Sequence, residues 1–245
     1  NLGELPRILD GGVRFLNDIT ILKPGSPVNS YFGFKVEGIF QSQQEIENSS
    51  QPNAIPGDIK FKDVNGDGVI DVDDRTILGN PMPDVTIGIQ NDFAYKGFDL
   101  SVFLEGRFGH ELANITRVDS FDPIDNLRNR ETFVLNRSSV NNPNNKVPNL
   151  INPDRRFDFN SRAVQNASFL RLKNVRLAYR FPNLNFDNLG VSALSVYATG
   201  QNLITITNYD GFNPDVSSLG DSNVRVDFNA NPLPRTFTFG INLDI

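Results

Sequence analysis

Apolar and polar side chains alternate through residues 84–108, and this period of two constrains the fold more than any other feature. Such alternation gives a β-strand one apolar face and one polar face. Lys96 and Gly97 interrupt the pattern, so the stretch predicts two strands joined by a tight turn. The apolar face comprises Val85, Ile87, Ile89, Phe93 and Tyr95, with Asn91 as an exception, and then Phe98, Leu100, Val102 and Leu104.

The opposite face of this predicted hairpin carries full charges. Asp99, Glu105 and Arg107 lie there, with Phe103 as the apolar exception. An apolar core does not tolerate such charges unpaired. A sheet of this kind fits either a soluble sheet packed on one face, or a membrane barrel with lipid outside and water inside.

The composition excludes several classes of protein. No apolar run approaches the roughly 18 residues that a membrane helix needs. The formal net charge of −6 argues against a nucleic-acid partner. Because the sequence has no cysteine, disulfides, zinc–thiolate sites and thiol catalysis are excluded.

Further strands are predicted on both sides of the hairpin. Residues 169–181, 191–203 and 236–245 alternate clearly, and the phase slip near Asn174 predicts a β-bulge. Weaker patterns cover residues 13–22 and 29–40. This weaker pair either joins the same sheet or forms a hairpin within an outer loop.

The connections between predicted strands alternate in length. Residues 96–97 and 182–190 are short, whereas 41–83, 109–163 and 204–233 are long. Outer-membrane barrels alternate short periplasmic turns with long extracellular loops, and a soluble sandwich has no reason to do so. We therefore expect an all-β fold, an antiparallel transmembrane β-barrel portion with long extracellular loops at those three stretches.

The number of predicted strands indicates whether they could make up a whole barrel. The sequence predicts five clear strands, or seven with the weaker pair, and both numbers are odd. Single-chain bacterial barrels have an even number of strands. We therefore expect residues 1–245 to be the C-terminal part of a larger barrel, with further strands upstream.

Residues 63–74 match the twelve-residue calcium-loop pattern except at the last position. Gly68 at position six permits the sharp turn, and position twelve is an aspartate in place of the usual glutamate. The pattern predicts a structural Ca²⁺ ion, and the alternative is an Asx-turn-rich loop without an ion. The predicted ligands are Asp63, Asn65, Asp67, the carbonyl of Val69, Asp71 and Asp74.

The sequence offers little for catalysis. His110 is the only histidine, so a Ser-His-Asp system or a zinc site would rest on it alone. The acidic residues give no acid–base pair that the sequence can place, and the glycines at 25, 33 and 38 lack the rest of a phosphate loop. We predict that the protein is not an enzyme and has no catalytic residue.

Several motifs follow one another in an order that resembles the C-terminal region of the SusC/RagA family of TonB-dependent outer-membrane transporters of Bacteroidetes. They are YFGFKVEGIF (31–40), PGDIKF (56–61), the acidic loop (63–74), GNP (79–81), YKGFDLS (95–101), SFLRLKN (168–174), GQNL (200–203) and PRTF (234–237). The resemblance spans nearly the whole chain. One departure is Ile245, where such barrels usually end in an aromatic residue.

This resemblance implies a barrel of about 22 strands in the bacterial outer membrane. It implies TonB-dependent import of a bulky nutrient such as an oligosaccharide or a peptide, in a SusCD-like complex. The expected partners are a SusD-like surface lipoprotein, TonB through an upstream part of the protein, membrane lipid and the nutrient. A plug domain is expected upstream.

Two other functions stay open at this point. The acidic loop is compatible with a soluble calcium-stabilised glycan-binding or adhesion module, although dockerins pair two such loops with helices. A glycoside hydrolase fragment is the other, and it lacks a carboxylate pair that the sequence can place.

Overall fold

Strands dominate the computed structural model, which describes residues 7–9, 19–121, 132–139, 141–143, 146–149, 159–182, 193–216 and 225–244. The strands are β1 (Arg7–Leu9), β2 (Thr20–Leu22), β3 (Ser30–Phe34), β4 (Val36–Ile39), β5 (Ile59–Phe61), β6 (Arg75–Gly79), β7 (Val85–Tyr95), β8 (Phe98–Phe108), β9 (Glu111–Asn114), β10 (Val164–Asn166), β11 (Phe169–Arg180), β12 (Ala193–Thr207), β13 (Val226–Asp227) and β14 (Thr236–Asp244). The helices are α1 (Gln43–Glu47) and α2 (Ile115–Phe121), with 3-10 turns at Val72–Asp74 and Thr132–Asn136. Among the described residues, no helix is long and apolar enough to cross a membrane.

The chain folds as two compact units. The long-sheet unit comprises Pro83–His110, Ala167–Pro214 and Asn231–Ile245. The small-sheet unit comprises Asn1–Met82, Glu111–Asn166 and Asp215–Ala230. Segments of the small-sheet unit therefore interrupt the long-sheet unit twice along the chain, at Glu111–Asn166 and at Asp215–Ala230.

The long-sheet unit contains one five-stranded antiparallel sheet in the order β14-β12-β11-β8-β7. Each strand pairs with the neighbouring strand of this unit along the chain, so the sheet is an up-and-down meander. The five clear strands predicted from the sequence are confirmed as its members. The sheet is a portion of a barrel and does not close on itself within the described residues.

The predicted tight turn joins β7 to β8. Lys96 and Gly97 both have positive φ angles, 45° and 83°. Two such residues form a type I′ turn, whose twist matches that of the strands it connects. Tyr95 and Phe98 therefore face each other directly across the hairpin.

The register of the long sheet brings the apolar positions of all five strands onto one face. In the row nearest the turn, the paired residues are Tyr95, Phe98, Tyr179, Val196 and Ile241. The next row on this face consists of Phe93, Leu100, Leu177, Ala198 and Phe239. Side chains of a strand alternate between faces, so the polar residues share the opposite face.

The bulge predicted near Asn174 is confirmed. Leu172 pairs with Leu104 and Asn174 pairs with Phe103, so Lys173 is an extra residue in β11. A one-residue slip moves every later side chain to the opposite face. The bulge thus keeps the apolar residues on both sides of it on the same face.

A second irregularity lies beside the first, in β12. Leu172 pairs with Ile204 and Asn174 with Gln201, leaving two residues of β12 opposite one of β11. One of them, Asn202, has a φ of 54°. This irregularity explains why the sequence pattern ends near residue 203 whereas the strand continues to Thr207.

Where the structure describes the small-sheet unit, its strands form three short sheets, ordered β1-β2-β3-β6, β10-β9-β13 and β4-β5. The weaker predicted strands at 13–22 and 29–40 contain β2, β3 and β4, which belong to these short sheets and not to the long sheet. β2 pairs with β3, so of the two predicted alternatives the separate hairpin is the one observed. Residues 13–18 and Ile245 lie outside the described residues.

Two apolar clusters are found among the described residues of the small-sheet unit. The larger one contains Ile19, Tyr31, Ala113, Ile115, Phe159, Ala163 and Val226. The smaller one contains Phe34, Ile59, Phe61 and Ile70. Because Ile70 belongs to the acidic loop, the smaller cluster fixes that loop to the sheet beneath it.

A close backbone contact joins the segment around Phe159 to β3. The Phe34 amide donates to the Phe159 carbonyl at 2.9 Å, and the Ser161 amide donates to the Phe34 carbonyl at 3.0 Å. A Cβ at Gly33 would lie 2.3 Å from the Phe159 carbonyl oxygen. Only glycine therefore allows this approach.

The glycine contact gives a prediction for the small-sheet unit. Gly33→Ala should destabilise it by about 1–3 kcal/mol, because the added carbon overpacks against backbone. Gly38→Ala is the matched control, since a Cβ at Gly38 meets no atom within 4 Å, and it should change stability by less than about 0.5 kcal/mol. Hydrogen exchange of the β3 and β4 amides measures both, and equal effects would contradict the packing argument.

Candidate functional site

The apolar face of the long sheet is exposed to an unusual degree. Exposure of its large side chains reaches 65% at Phe237 and 79% at Phe239. The other exposed members are Val85, Ile89, Phe93, Tyr95, Phe98, Phe108, Leu177, Val196, Ile204, Ile206, Ile241 and Leu243. A contiguous apolar surface of this kind marks a site that contacts another protein, a ligand or a membrane.

The polar face of the long sheet carries a three-residue ion-pair cluster. Glu105 accepts from the Lys173 ammonium at 2.6 Å and from the Arg107 guanidinium at 3.2 Å. Glu105 and Arg107 lie on one strand face, as the alternation in the sequence predicted. Lys173 was missed, because its side chain reaches this face only through the bulge in β11.

Arg171 extends this charged region towards the long-loop end of the sheet. It is 4% exposed and donates to Thr205 Oγ1 at 3.1 Å and to Asn213 Oδ1 at 2.9 Å. Its guanidinium also lies over the Phe169 ring, 4.6 Å from the centroid. Since Arg171 lies on the polar face, the bond to Asn213 holds the segment after β12 over that face.

His110, the only histidine, is buried at the end of the same unit. Its Nε2 lies 3.4 Å from the Pro214 carbonyl oxygen, and its ring meets the edge of Phe169 with centroids 6.3 Å apart. These contacts give the histidine a packing role between the ends of the strands.

Aromatic rings cover glycines on the polar face. A Cβ at Gly240 would lie 2.3 Å from the Tyr197 ring, and one at Gly88 would lie 3.3 Å from the Phe103 ring. Arg176 in turn lies over the Tyr197 ring at 5.0 Å. Phe103, an exception in the sequence pattern, is therefore accommodated by the missing side chain of its neighbour.

The acidic loop is folded by hydrogen bonds from its own backbone. Asp63 accepts from the amides of Gly66 at 2.6 Å and Gly68 at 2.9 Å, as well as from the Ser50 hydroxyl at 3.1 Å. Asn65 and Asp67 are joined by a side-chain bond of 2.9 Å. These bonds bring the first three predicted ligands into one turn.

Asp74, at position twelve, is turned towards backbone amides. One oxygen accepts from Val64 at 2.7 Å, and the other accepts from Asp71 at 2.9 Å. The residue is fully buried. The Asp71 side chain accepts from the Asp73 amide at 2.9 Å, so these two predicted ligands form the capping box of the 3-10 turn Val72–Asp74.

The hydrogen bonds lower the pKa of Asp63. Loss of solvent around the carboxylate opposes this effect, but the amides of Gly68 and Gly66 and the Ser50 hydroxyl outweigh it. A lowered pKa means that ionised Asp63 stabilises the loop above its unfolded-state pKa, and that this contribution disappears as the pH falls through the folded-state value.

The calcium prediction stays a prediction. Within the part of the chain that the structure describes, no three His, Asp or Glu side chains are grouped so as to hold a metal ion. Two of the predicted ligands are not carboxylates: the Asn65 amide oxygen and the Val69 carbonyl oxygen. The intraloop hydrogen bonds are those that the ion-free alternative requires.

The long sheet is antiparallel and up-and-down, and its apolar face is exposed, which is the arrangement of a portion of a transmembrane β-barrel. The fold of the chain is similar to the solved RagAB peptide transporter, with a TM-score of 0.71 and 25% identity over 92% of this chain. It is also similar to the RagAB peptide importer in the open-open state, with a TM-score of 0.74 and 24% identity over 99% of this chain. Each match covers 24% of the RagAB chain.

Curated relatives give the family. TonB-dependent receptor P3 of Formosa agariphila is 32% identical over 99% of this chain, and receptor P26 of the same organism is 33% identical over 97%. TonB-dependent receptor SusC of Bacteroides thetaiotaomicron is 30% identical over 87%. The chain is a SusC/RagA-like part of a TonB-dependent receptor.

The chain covers only part of the length of these relatives. The chain spans 26% of the length of receptors P3 and P26 and 20% of that of SusC. No family model matches the chain.

Asp74 provides a prediction for the acidic loop. Asp74→Ala leaves the amides of Val64 and Asp71 without their acceptor and should cost about 2–3 kcal/mol. Asp73→Ala, at an exposed position, should cost less than about 0.5 kcal/mol. Amide hydrogen exchange across residues 63–74 is the measurement, and slow exchange retained in Asp74→Ala would refute the assigned role.

Proposed function

We propose that this chain forms part of the wall of an outer-membrane barrel that imports bulky nutrients with energy delivered through TonB. The exposed apolar face of the long sheet is the observation that carries the proposal. It faces the hydrocarbon of the bacterial outer membrane, and the opposite polar face lines a water-filled lumen. The function is transport without catalysis.

The length of the strands supports this placement. β7 has 11 residues, which span about 35 Å at roughly 3.3 Å per residue. A barrel strand tilts by about 40°, so β7 crosses about 27 Å along the membrane normal, close to the roughly 25 Å apolar band of such barrels. The apolar rows of the sheet thus match the thickness of the membrane core.

The polar face supports a bulky, hydrophilic cargo. The Glu105 cluster and the threonines of β12 and β14 give this wall hydrogen-bonding groups and few apolar ones. Oligosaccharides and peptides are the cargo classes that we propose, and RagAB is itself a peptide importer. A SusD-like surface lipoprotein at the outer face, and TonB contacted through another part of the protein, are the proposed partners.

A soluble calcium-stabilised glycan-binding module is the alternative. It would use the acidic loop, which is anchored through Ile70 to the smaller apolar cluster. This alternative leaves the exposed apolar face of the long sheet in water, which soluble monomers avoid. The exposed face therefore favours the barrel.

We also propose that the acidic loop takes up a structural Ca²⁺ ion. Each carboxylate oxygen has two lone-pair sites, so acceptance from a backbone amide leaves room for a cation at Asp63 and Asp67. Asn65, the Val69 carbonyl and Asp71 complete the donors, with Asp74 supporting the loop through the backbone. The ion would supply cross-linking of the loop and no chemistry.

The two faces of β8 give a direct prediction for the barrel. Val102→Arg should destabilise the membrane-inserted protein by about 2–4 kcal/mol, because it places a charge against mid-membrane hydrocarbon; Leu104→Arg should act alike. Ser101→Arg, on the polar face, should cost less than about 1 kcal/mol. Unfolding in lipid vesicles measures the difference, and equal costs on both faces would exclude the proposed orientation.

The calcium proposal has its own test. Isothermal titration should give a dissociation constant on the order of 10⁻⁴ to 10⁻³ M, the range of extracellular modules, and Asp67→Ala should abolish binding. Asp73→Ala is the control and should bind normally. Absence of heat with the unaltered protein at millimolar Ca²⁺ would leave the loop held by hydrogen bonds alone.

A further inference from the structure

The acidic loop contains two dipeptides that are chemically labile. Asn65 is the only asparagine of the chain that is followed by glycine, and Asp67 is followed by Gly68. In such pairs the glycine amide nitrogen can attack the preceding side-chain carbonyl carbon, because glycine has no Cβ to hinder the approach and adopts a wide range of backbone angles. Both dipeptides are exposed, so water and base reach them.

The reaction at Asn65 exchanges an amide for an acid. The Gly66 nitrogen gives its proton to base and forms a bond to the Asn65 side-chain carbon, the bond from that carbon to the NH₂ group breaks, and ammonia leaves. Water then opens the resulting succinimide at one of its two carbonyls and gives aspartate or isoaspartate. At Asp67 the same cyclisation expels water, and reopening gives the same two products.

One carboxylate holds the attacking nitrogen of both dipeptides. Oδ1 of Asp63 accepts from the Gly66 amide at 2.6 Å, and Oδ2 accepts from the Gly68 amide at 2.9 Å. Loss of the proton from either nitrogen leaves a lone pair that points at an Asp63 oxygen, so the peptide unit must turn before it can attack. The negative charge of Asp63 also opposes the formation of an amide anion at this short distance.

The side chains under attack are held as well. The Asn65 Oδ1 accepts from the Asp67 amide, and the Asn65 Nδ2 donates to Asp67 Oδ2, each at 2.9 Å. The other Asp67 oxygen accepts from the Val69 amide at 2.9 Å. Cyclisation at either residue requires its side chain to rotate out of these bonds. The hydrogen bonds of the loop therefore oppose the reaction both at the nitrogen and at the carbon.

We propose that Asn65 and Asp67 are latent succinimide-forming modification sites, which Asp63 keeps unreactive while the acidic loop is folded. Once Asp63 releases the glycine amides, Asn65 converts to aspartate or isoaspartate. The aspartate product adds one negative charge to the loop, and the isoaspartate product lengthens the backbone by one methylene group. These reactions need neither a membrane nor a bound ion, so they are independent of the proposed transport function.

Incubation of the complete protein in mildly alkaline buffer made with heavy-oxygen water measures both reactions, because each opening of a succinimide adds one oxygen atom from water. Trypsin cleaves after Lys62 and Arg75, and fragmentation of the released peptide assigns the label to Asn65 or Asp67. Both sites should react at least about tenfold more slowly in the folded protein than in denaturant, the factor expected for one hydrogen bond to a charged group. Equal rates in the two states would overturn the proposal.

Asp63→Ala removes the acceptor of both glycine amides and should raise both rates at least about tenfold. Asp73→Ala is the matched control, because it removes an exposed carboxylate of the same loop, and its rates should stay within about twofold of those of the unaltered protein. Rates are expressed relative to that of the Asp210–Gly211 dipeptide, which lies outside the loop. Slow reaction in Asp63→Ala, or equal acceleration in both variants, would overturn the proposal.

Hydrogen exchange distinguishes release of the glycine amides from opening of the whole loop. The Asp71 amide donates to Asp74 at 2.9 Å, so its exchange should stay slow in Asp63→Ala. Fast modification with slow exchange of this amide would support the role of Asp63. Fast exchange together with fast modification would mean that opening of the whole loop explains the reaction, and it would overturn that role.

Discussion

The antiparallel hydrogen-bond ladder of the long sheet is the constraint on which the other features depend. Backbone groups in hydrocarbon have no water to bind, so every strand that crosses a membrane must satisfy its amides and carbonyls through its neighbours. The same ladder fixes the register, and the register places rows such as Phe93, Leu100, Leu177, Ala198 and Phe239 side by side. An exposed apolar face and a polar face follow from that single arrangement.

The paired irregularities in β11 and β12 show how the chain keeps this arrangement over long strands. Lys173 is inserted in β11, and Asn202 lies in the mismatched stretch of β12 beside it. The insertion preserves the apolar face and also delivers the Lys173 ammonium to Glu105 on the polar face, at 2.6 Å. Deleting one residue there would therefore disturb both faces at once. The acidic loop is stabilised differently. Its carboxylates accept hydrogen bonds from backbone amides, and Ile70 anchors the loop in the smaller apolar cluster.

How much the sequence predicts depends on whether a contact is local. The β7–β8 hairpin, the three later strands and the bulge near Asn174 could be predicted, because a period of two and its interruption are visible within one strand. The pairing of β9 with β10 and β13 could not, because it joins strands of only four, three and two residues that lie far apart in sequence. The Glu105–Lys173 pair was missed for a related reason: alternation alone does not say on which face an inserted residue lies. In the acidic loop the motif identified the turn, whereas the burial of Asp74 emerged only from its contacts.

The most direct test of the central claim is a nitroxide scan through β7, with one label at each residue from 85 to 95 in the membrane-inserted protein. Collision with dissolved oxygen reports hydrocarbon, and collision with a water-soluble nickel complex reports water. We predict that oxygen accessibility peaks at the odd positions other than 91 and nickel accessibility at the even positions, with a period of two. Protection of the odd positions from both reagents would instead mean that this face is buried against protein, and would contradict the account.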